Sequence, residues 1–322
     1  MSSYRWRGPI KTPLERLIMP ESTQPSLAAR LASWTPQLVL VPTLAAAFIY
    51  VVVFSAWTLW ISVSQSTLLP NMAYGGFGEY AALWKSKRWI VAYQNLFLFG
   101  ALYVLGSLFV GTLLAVLIDQ RVRFESVWRT IFLYPLAISF IVTGTVWRWI
   151  FHPQTGVERA LNDLGWLSAQ FDWITDRDMA LYVVVFTGIW HASGFAMALI
   201  LAGLRSVDGD LIKAAQIDGA SMPRIYRRVV LPTIWPIFVA VSVVLLQFAI
   251  KTYDLVVALT QGGPGVATTV PAIVVYDLMF QRGQIAQGAA AAVMILVALA
   301  IVIVPYVLWT SWRARKEGQR HG

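Results

Sequence analysis

The spacing of charged residues constrains this chain more than any motif in it. Long stretches without Asp, Glu, Lys or Arg run from Arg30 to Glu79 (apolar over Leu38 to Val63) and from Arg88 to Asp119. Others run from Arg129 to Arg148 (continuing to Phe151), Asp178 to Arg205, Arg228 to Lys251 and Arg282 to Arg313. A helix needs about 20 apolar residues to cross a bilayer. Hydrocarbon offers a backbone amide no partner outside its own helix, so each stretch predicts a helical span. A seventh stretch, Asp254 to Asp277, contains Gln261-Gly262-Gly263-Pro264-Gly265 and reads as a loop. The expected fold class is an all-α integral membrane protein with six transmembrane helices. Composition agrees: 13% of residues are charged, against about 25% in soluble domains, which argues against an ordinary soluble enzyme. The chain has no Cys, so disulfide, zinc-thiolate and thiol chemistry are excluded.

The basic residues orient these spans. Five lie before the first span, three after the second, five after the fourth and four after the sixth, seventeen on one side. The other side holds six: Lys85, Lys87, Arg88, Arg159, Arg177 and Arg282. Arg148 and Lys251 fall at membrane depth. The asymmetry places both termini in the cytoplasm of a multi-pass protein of the inner membrane. It also accounts for the net charge of +9 without nucleic acid, because basic groups divided among separate loops form no single binding face. The first apolar run begins too far along the chain for a cleaved signal peptide. The expected organisation is a Pro-punctuated cytoplasmic arm (1–36), a first helix with an external loop (37–90), a membrane core (91–312) and a cytoplasmic tail (313–322).

The loop between the fourth and fifth spans is longer than its neighbours, Arg205 to Pro232. It reads as two short helices. Asp208 or Asp210 can cap the first. Gly219 supplies the break, since it can take positive φ, and Asp218 can hold the turn by local hydrogen bonds. Ser221 can cap the second helix, with Pro223 in its first turn, and Pro232 marks the start of the fifth span.

The segment Ala214-Ala215-Gln-Ile-Asp218-Gly219-Ala220, with Leu231-Pro232 following, resembles the EAA loop of binding-protein-dependent ABC importer permeases. Tyr253-Asp254 through Thr260-Gln-Gly262-Gly263-Pro264-Gly265 to Thr268 is similar to a stretch of the carbohydrate-uptake branch. So are Trp128-Arg129-Thr130 with Pro135, Trp147 to Phe151, and Asn95 with Gly111 and Ala115. The run from Gly263 through Tyr276 and Asp277 to Gln287-Gly288 looks most like permeases for glucose or mannose. The resemblance spans residues 35 to 312 and implies a type I ABC importer permease fold. It implies that Lys213, Ala214, Ala215, Asp218, Gly219, Ala220, Leu231 and Pro232 couple the chain to a cytoplasmic ATPase dimer carrying ATP-Mg. It further implies a second, homologous permease subunit, an external or periplasmic sugar-binding protein, and alternating access. The chain departs from the family pattern at Lys213, where a Glu is usual.

The chain has no G-x-x-x-x-G-K-[ST] phosphate loop, H-E-x-x-H or G-x-S-x-G. No catalytic residue, metal ligand set or cofactor of its own is expected, and lipid is its surrounding partner. Polar groups at membrane depth are costly and mark cavities or partners. Gln247, Lys251 and Asp254 fall at i, i+4 and i+7 of one helix, with Tyr253 adjoining. They are the candidate substrate-binding residues, with Lys251 and Asp254 partly neutralising each other. A contact to the partner permease, or a position among the outer headgroups, fits the same pattern. Trp147-Arg148-Trp149 reads as an interfacial anchor and His191 as hydrogen-bonded structure. Other substrates in view are a different sugar, a polyol or glycerol phosphate. An ion-coupled secondary transporter would not need the EAA-like loop, and an intramembrane enzyme would need clustered catalytic groups.

Overall fold

The computed structural model describes residues 40–69, 71–120, 122–166 and 172–318. The N-terminal arm, Arg121 and the last four residues lie outside them. Contacts divide the chain into two units, residues 1–57 and 58–322. The described part of the first belongs to helix α1, Leu40–Ser62, whose Phe48, Tyr50, Phe54 and Trp57 side chains are exposed.

The second unit is helical, and its described residues form no sheet. Its helices are α2 Gly78–Lys85, α3 Lys87–Asp119, α4 Glu125–Ala137, α5 Phe140–Ile150 and α6 Val157–Asp163. They continue with α7 Ala180–Arg205, α8 Gly209–Ile217, α9 Met222–Thr233, α10 Trp235–Ile250 and α11 Tyr253–Leu259. The last two are α12 Pro271–Gln281 and α13 Ile285–Gly318.

Among the described residues, four helices are long and apolar enough to cross a membrane: α1, α3, α7 and the Ile285–Trp312 part of α13. They coincide with four of the charge-free stretches. The third and fifth predicted spans are not straight helices. Helices α4 and α5 meet at 99°. Pro135 in the last turn of α4 has no amide to donate. Ser139 is extended (φ −65°, ψ 151°), and its hydroxyl accepts from the Val142 amide at 3.3 Å, which starts a new helix. Helices α9 and α10 meet at 67° at Ile234, with Pro236 in the first turn of α10. Pro232, expected at the start of the fifth span, lies in the last turn of α9, just before the bend. Counting each bent pair as one crossing brings the total to six. The loop expected between Asp254 and Asp277 carries two short helices, α11 and the start of α12, around its glycines.

Helix α7 is the hub. Lipid is as apolar as leucine, so helices in a bilayer associate through close packing at small residues. A Cβ on Gly111 of α3 would lie 2.6 Å from Ala196 Cβ and 2.8 Å from the Met197 amide nitrogen. A Cβ on Gly188 would lie 2.9 Å from the Tyr103 ring. A Cβ on Gly194 would overlap the Phe132 carbonyl of α4, and one on Gly203 would meet Ile237 of α10. Three helices thus approach α7 through glycines. Helix α5 packs instead on α11, where Gly144 faces Ala258 and the Leu255 carbonyl.

The α4–α5 break leaves the Ile138 carbonyl without a helical donor. His191 supplies one, with Nε2 at 3.0 Å and its ring stacked on Phe140 at 4.3 Å. A carbonyl can only accept, so Nε2 carries the proton. The structural reading of His191 holds. Of the Trp pair, Trp149 is two-thirds exposed, as an interfacial anchor would be. Trp147 instead packs against Phe151, Phe186 and Trp190 at 5.3 to 5.5 Å.

Gly111→Val should force α3 off α7, at a cost of about 1–3 kcal/mol typical of overpacking. Its amount in the membrane and its thermal midpoint in detergent should both fall. Gly78→Ala, where an added Cβ meets nothing within 4 Å, should match the unaltered protein in both assays.

Candidate functional site

The segment after α7 folds as the sequence spacing predicts. Asp208 caps α8, its Oδ1 accepting from the Asp210 amide at 2.9 Å. The helix ends in a Schellman turn: the Gly219 amide donates to Gln216 O and the Ala220 amide to Ala215 O, each at 3.0 Å. Gly219 has φ +76° and open space where a Cβ would stand. The need for glycine is therefore conformational rather than steric. The turn closes through these main-chain bonds rather than through the Asp218 carboxylate. Ser221 has the extended backbone of a cap but makes no side-chain capping bond. Its carbonyl accepts from the amides of Arg224 and Ile225.

Helix α8 carries apolar side chains where water would be. Ile217 is 87% exposed and Leu211 is half exposed, with Met222 exposed just beyond the turn. Ala214 is also exposed, whereas Ala215 and Ala220 pack against the core. A small-residue helix with uncovered Ile and Leu can receive another protein closely. Lys213, the departure from the family pattern, pairs with Asp210 at 2.9 Å within the same helix. Both partners are largely exposed, so the pair adds little stability.

Helix α9 ties this loop to the bundle. Ile225, Val230 and Ile234 are buried in the main apolar cluster, Leu231 packs against it, and Pro232 is exposed. The Tyr226 hydroxyl donates to Asp119 Oδ2 at 2.6 Å, at the end of α3, and accepts from Gln120 Nε2 at 3.1 Å. A carboxylate oxygen can only accept, so the Tyr226 hydroxyl is the donor. Arg205 at the end of α7 reaches Glu125 at 2.7 Å and Asp119 at 4.0 Å, and Arg129 reaches Glu125 at 3.5 Å. One polar network therefore joins the ends of α3 and α7, the start of α4, and the loop. The 107 positions between Asp119 and Tyr226 hide it from sequence spacing. The legible signal is two acids, Asp119 and Glu125, at the edges of a basic loop.

The second candidate group is less regular than predicted. Helix α10 ends at Ile250 and α11 begins at Tyr253, so Gln247, Lys251 and Asp254 do not lie on one continuous helix. At the break, the buried Thr252 hydroxyl donates to the carbonyls of Ala249 and Phe248. Lys251 and Asp254 are exposed and form no ion pair with each other among the described pairs, which corrects the expected neutralisation. Gln247 is half-buried. Tyr253 packs on Tyr276 (5.6 Å), and Tyr276 on Phe280 (5.2 Å), an aromatic row spacing did not announce.

Beside this junction, the Gly-rich loop is held by its own side chains. Thr260 and Thr268 hydroxyls lie 2.7 Å apart, and Thr268 and Thr269 donate to the carbonyls of Gly263 and Gly262. Asn95 of α3 donates to Ala267 O at 2.8 Å and Thr269 O at 2.9 Å. Helix α3 thus touches the polar junction's loop at Asn95 and the Arg205-to-Pro232 segment at Asp119.

The described residues thus form an all-helical membrane-type bundle, with two bent helix pairs around a glycine-packed hub and an exposed helical loop after α7. Residues 107–315 match the family described as binding-protein-dependent transport system inner membrane component. The chain is 38% identical over 275 residues to a probable ABC transporter permease protein of Pyrococcus horikoshii, covering 85% of this chain and 94% of that one. It is 34% identical over 232 residues to the xylose/arabinose import permease of Haloferax volcanii, covering 71% and 73%. It is 28% identical over 301 residues to the sn-glycerol-3-phosphate permease of Salmonella typhimurium, covering 92% and 99%. The fold matches a bacterial ABC transporter that imports alginate, with TM-score 0.75 and 22% identity over 87% of this chain and 96% of that one.

The chain belongs to the binding-protein-dependent ABC importer permeases and has their type I fold. It is a transporter subunit and not an enzyme; ATP is hydrolysed on a separate ATPase. Such permeases work with a substrate-binding protein and the other components of an ABC importer.

Tyr226→Phe keeps the ring and removes only the hydroxyl bond to Asp119. The assembled transporter should hydrolyse ATP at near its usual rate, while solute moved per ATP falls by up to about tenfold, the scale of one hydrogen bond to a charged group. An unchanged ratio in proteoliposomes would remove Tyr226 from coupling.

Proposed function

We propose that this chain forms half of the pore of an ATP-driven sugar importer of the bacterial inner membrane, with both termini in the cytoplasm. The observation that carries this is the Gly219 turn with the exposed apolar face of α8. A second homologous permease completes the pore, and a cytoplasmic ATPase dimer, holding ATP-Mg in its own subunits, binds this loop and its counterpart. Lys213, Ala214, Ala215, Asp218, Gly219, Ala220, Leu231 and Pro232 form the coupling segment. ATP-dependent closure of the ATPase moves the two loops together and shifts the spans between inward- and outward-facing states. An external or periplasmic binding protein delivers the sugar.

Gln247, Lys251, Tyr253 and Asp254 contact the sugar in this reading. The α10–α11 break supports it, because exposed charges at a helix break are tolerated at membrane depth only beside a water-filled cavity or a partner. Together they offer donors, acceptors and an aromatic face to hydroxyls. Glucose or mannose is the proposed substrate, from the Gly263-to-Gly288 resemblance. Glycerol phosphate is the second reading. Lys251 stands without an ion pair to Asp254, and relatives of this chain include glycerol-3-phosphate permeases.

Cells lacking the chain should lose high-affinity glucose or mannose uptake, recovered when it is restored, with maltose and glycerol 3-phosphate uptake unchanged. Loss of another solute alone would keep the importer and discard this substrate. In the restored strain, Gln247→Ala should raise the half-saturating sugar concentration about tenfold, as loss of one good hydrogen bond does. Unaltered affinity at normal assembly would exclude Gln247 from the site.

A further inference from the structure

Four of the six basic residues that run against the topological bias gather at one place. Lys85 closes α2, Lys87 and Arg88 open α3, and Arg282 follows α12. Arg88 and Asp119 stand at opposite ends of α3, about 46 Å apart at 1.5 Å per residue. Asp119 bonds the coupling segment, so the basic cluster lies at the far end of the bundle from it.

The cluster is not balanced. Arg88 Nη1 lies 2.6 Å and Arg282 Nε 2.8 Å from the same oxygen, Oδ2 of the buried Asp277. Two guanidinium groups share one carboxylate and leave one positive charge. Arg88 Nε is buried and donates to nothing among the described residues. These groups border a cavity of about 250 Å³ that Ser86, Gln284 and Gln287 also line. Hydroxyl, amide and guanidinium donors around a net positive charge suit a carboxylate, which a guanidinium binds in paired hydrogen bonds. Arg282 is half exposed, and Lys85 and Lys87 are exposed beside it. A rim of charge at the end of the spans faces water and suits a soluble partner, whereas a neighbouring span would bring an apolar surface.

We propose that this cavity receives an acidic side chain of the external solute-binding protein, whose carboxylate completes the Arg88–Asp277–Arg282 cluster on docking. The two exposed lysines steer that acidic surface toward it. The inference rests on the importer reading above and adds to it the site and chemistry of docking.

The test uses the complete transporter in lipid nanodiscs, titrated at 50 and 300 mM NaCl (screening lengths of about 14 and 6 Å) with the sugar-loaded binding protein that restores uptake. Arg282→Gln leaves the Arg88–Asp277 bond in place, so the fold is expected to hold. Its binding constant should weaken about fivefold at the lower salt, the scale of one partly exposed ion pair, and should depend less on salt. Arg282→Lys, which keeps the charge but not the paired hydrogen bonds, should fall between Arg282→Gln and the unaltered transporter while keeping the salt dependence of the latter. Equal affinity and equal salt dependence for Arg282→Gln would overturn the proposal while leaving the importer intact. So would loss of the second permease from the purified Arg282→Gln complex, which would make the cluster an assembly contact. If the unaltered transporter fails to bind the protein at either salt, the importer reading falls and this inference with it.

Discussion

In hydrocarbon a helix gains nothing by exchanging lipid for another apolar side chain, so the bundle depends on how closely backbones approach. The crossing of α3 on α7 meets that condition at Gly111 and Gly188. The same face-by-face use of glycine brings α4 to Gly194 and α10 to Gly203. Helix α7 consequently buries two-thirds of its apolar window, against about a tenth for α13. Contacts of this kind are stiff, because a packed interior transmits displacement rather than absorbing it. Movement imposed on one end of the α3–α7 pair reaches the other end.

Polar contacts extend that pair to its neighbours. Asp119 holds the segment after α7 through Tyr226, and Arg205 pairs with Glu125 at the start of α4. Asn95 holds the loop that follows the α10–α11 break. Helix α8 lies outside this frame, attached through the Gly219 turn and the buried Ile225 and Val230. Helix α8 is therefore joined, through the start of α9 and the Tyr226–Asp119 bond, to α3, whose Asn95 holds the loop that follows the α10–α11 break. His191 of α7 secures the bend in the third span.

Charge spacing alone located α1, α3, α7 and α13, because a long apolar run in a bilayer has one backbone solution. It could not locate the 99° and 67° bends. A charge-free window is blind to Pro135, Ser139 and Pro236, which change backbone hydrogen bonding without changing hydropathy. The two helices after α7 and the turn between them were legible, since positive φ leaves a glycine signature in the sequence. The polar junction was only partly legible. Helical spacing grouped Gln247, Lys251 and Asp254, but Thr252 interrupts the helix and separates the expected ion pair. The Asp119–Tyr226 and Arg88–Asp277 bonds join residues 107 and 189 positions apart, and nothing local marks either.

The most direct measurement is sugar moved per ATP hydrolysed by the assembled transporter carrying Gly219→Val in proteoliposomes. A Cβ at Gly219 meets nothing within 4 Å, but a β-branched side chain at φ +76° strains the backbone by about 1–2 kcal/mol or more. The turn that presents α8 should distort while the spans remain folded. The expected result is a complex that still assembles and hydrolyses ATP but transports little sugar, with partial recovery in Gly219→Asn, which tolerates the left-handed conformation. Full transport by Gly219→Val at the usual ATP cost would contradict a coupling role for this turn.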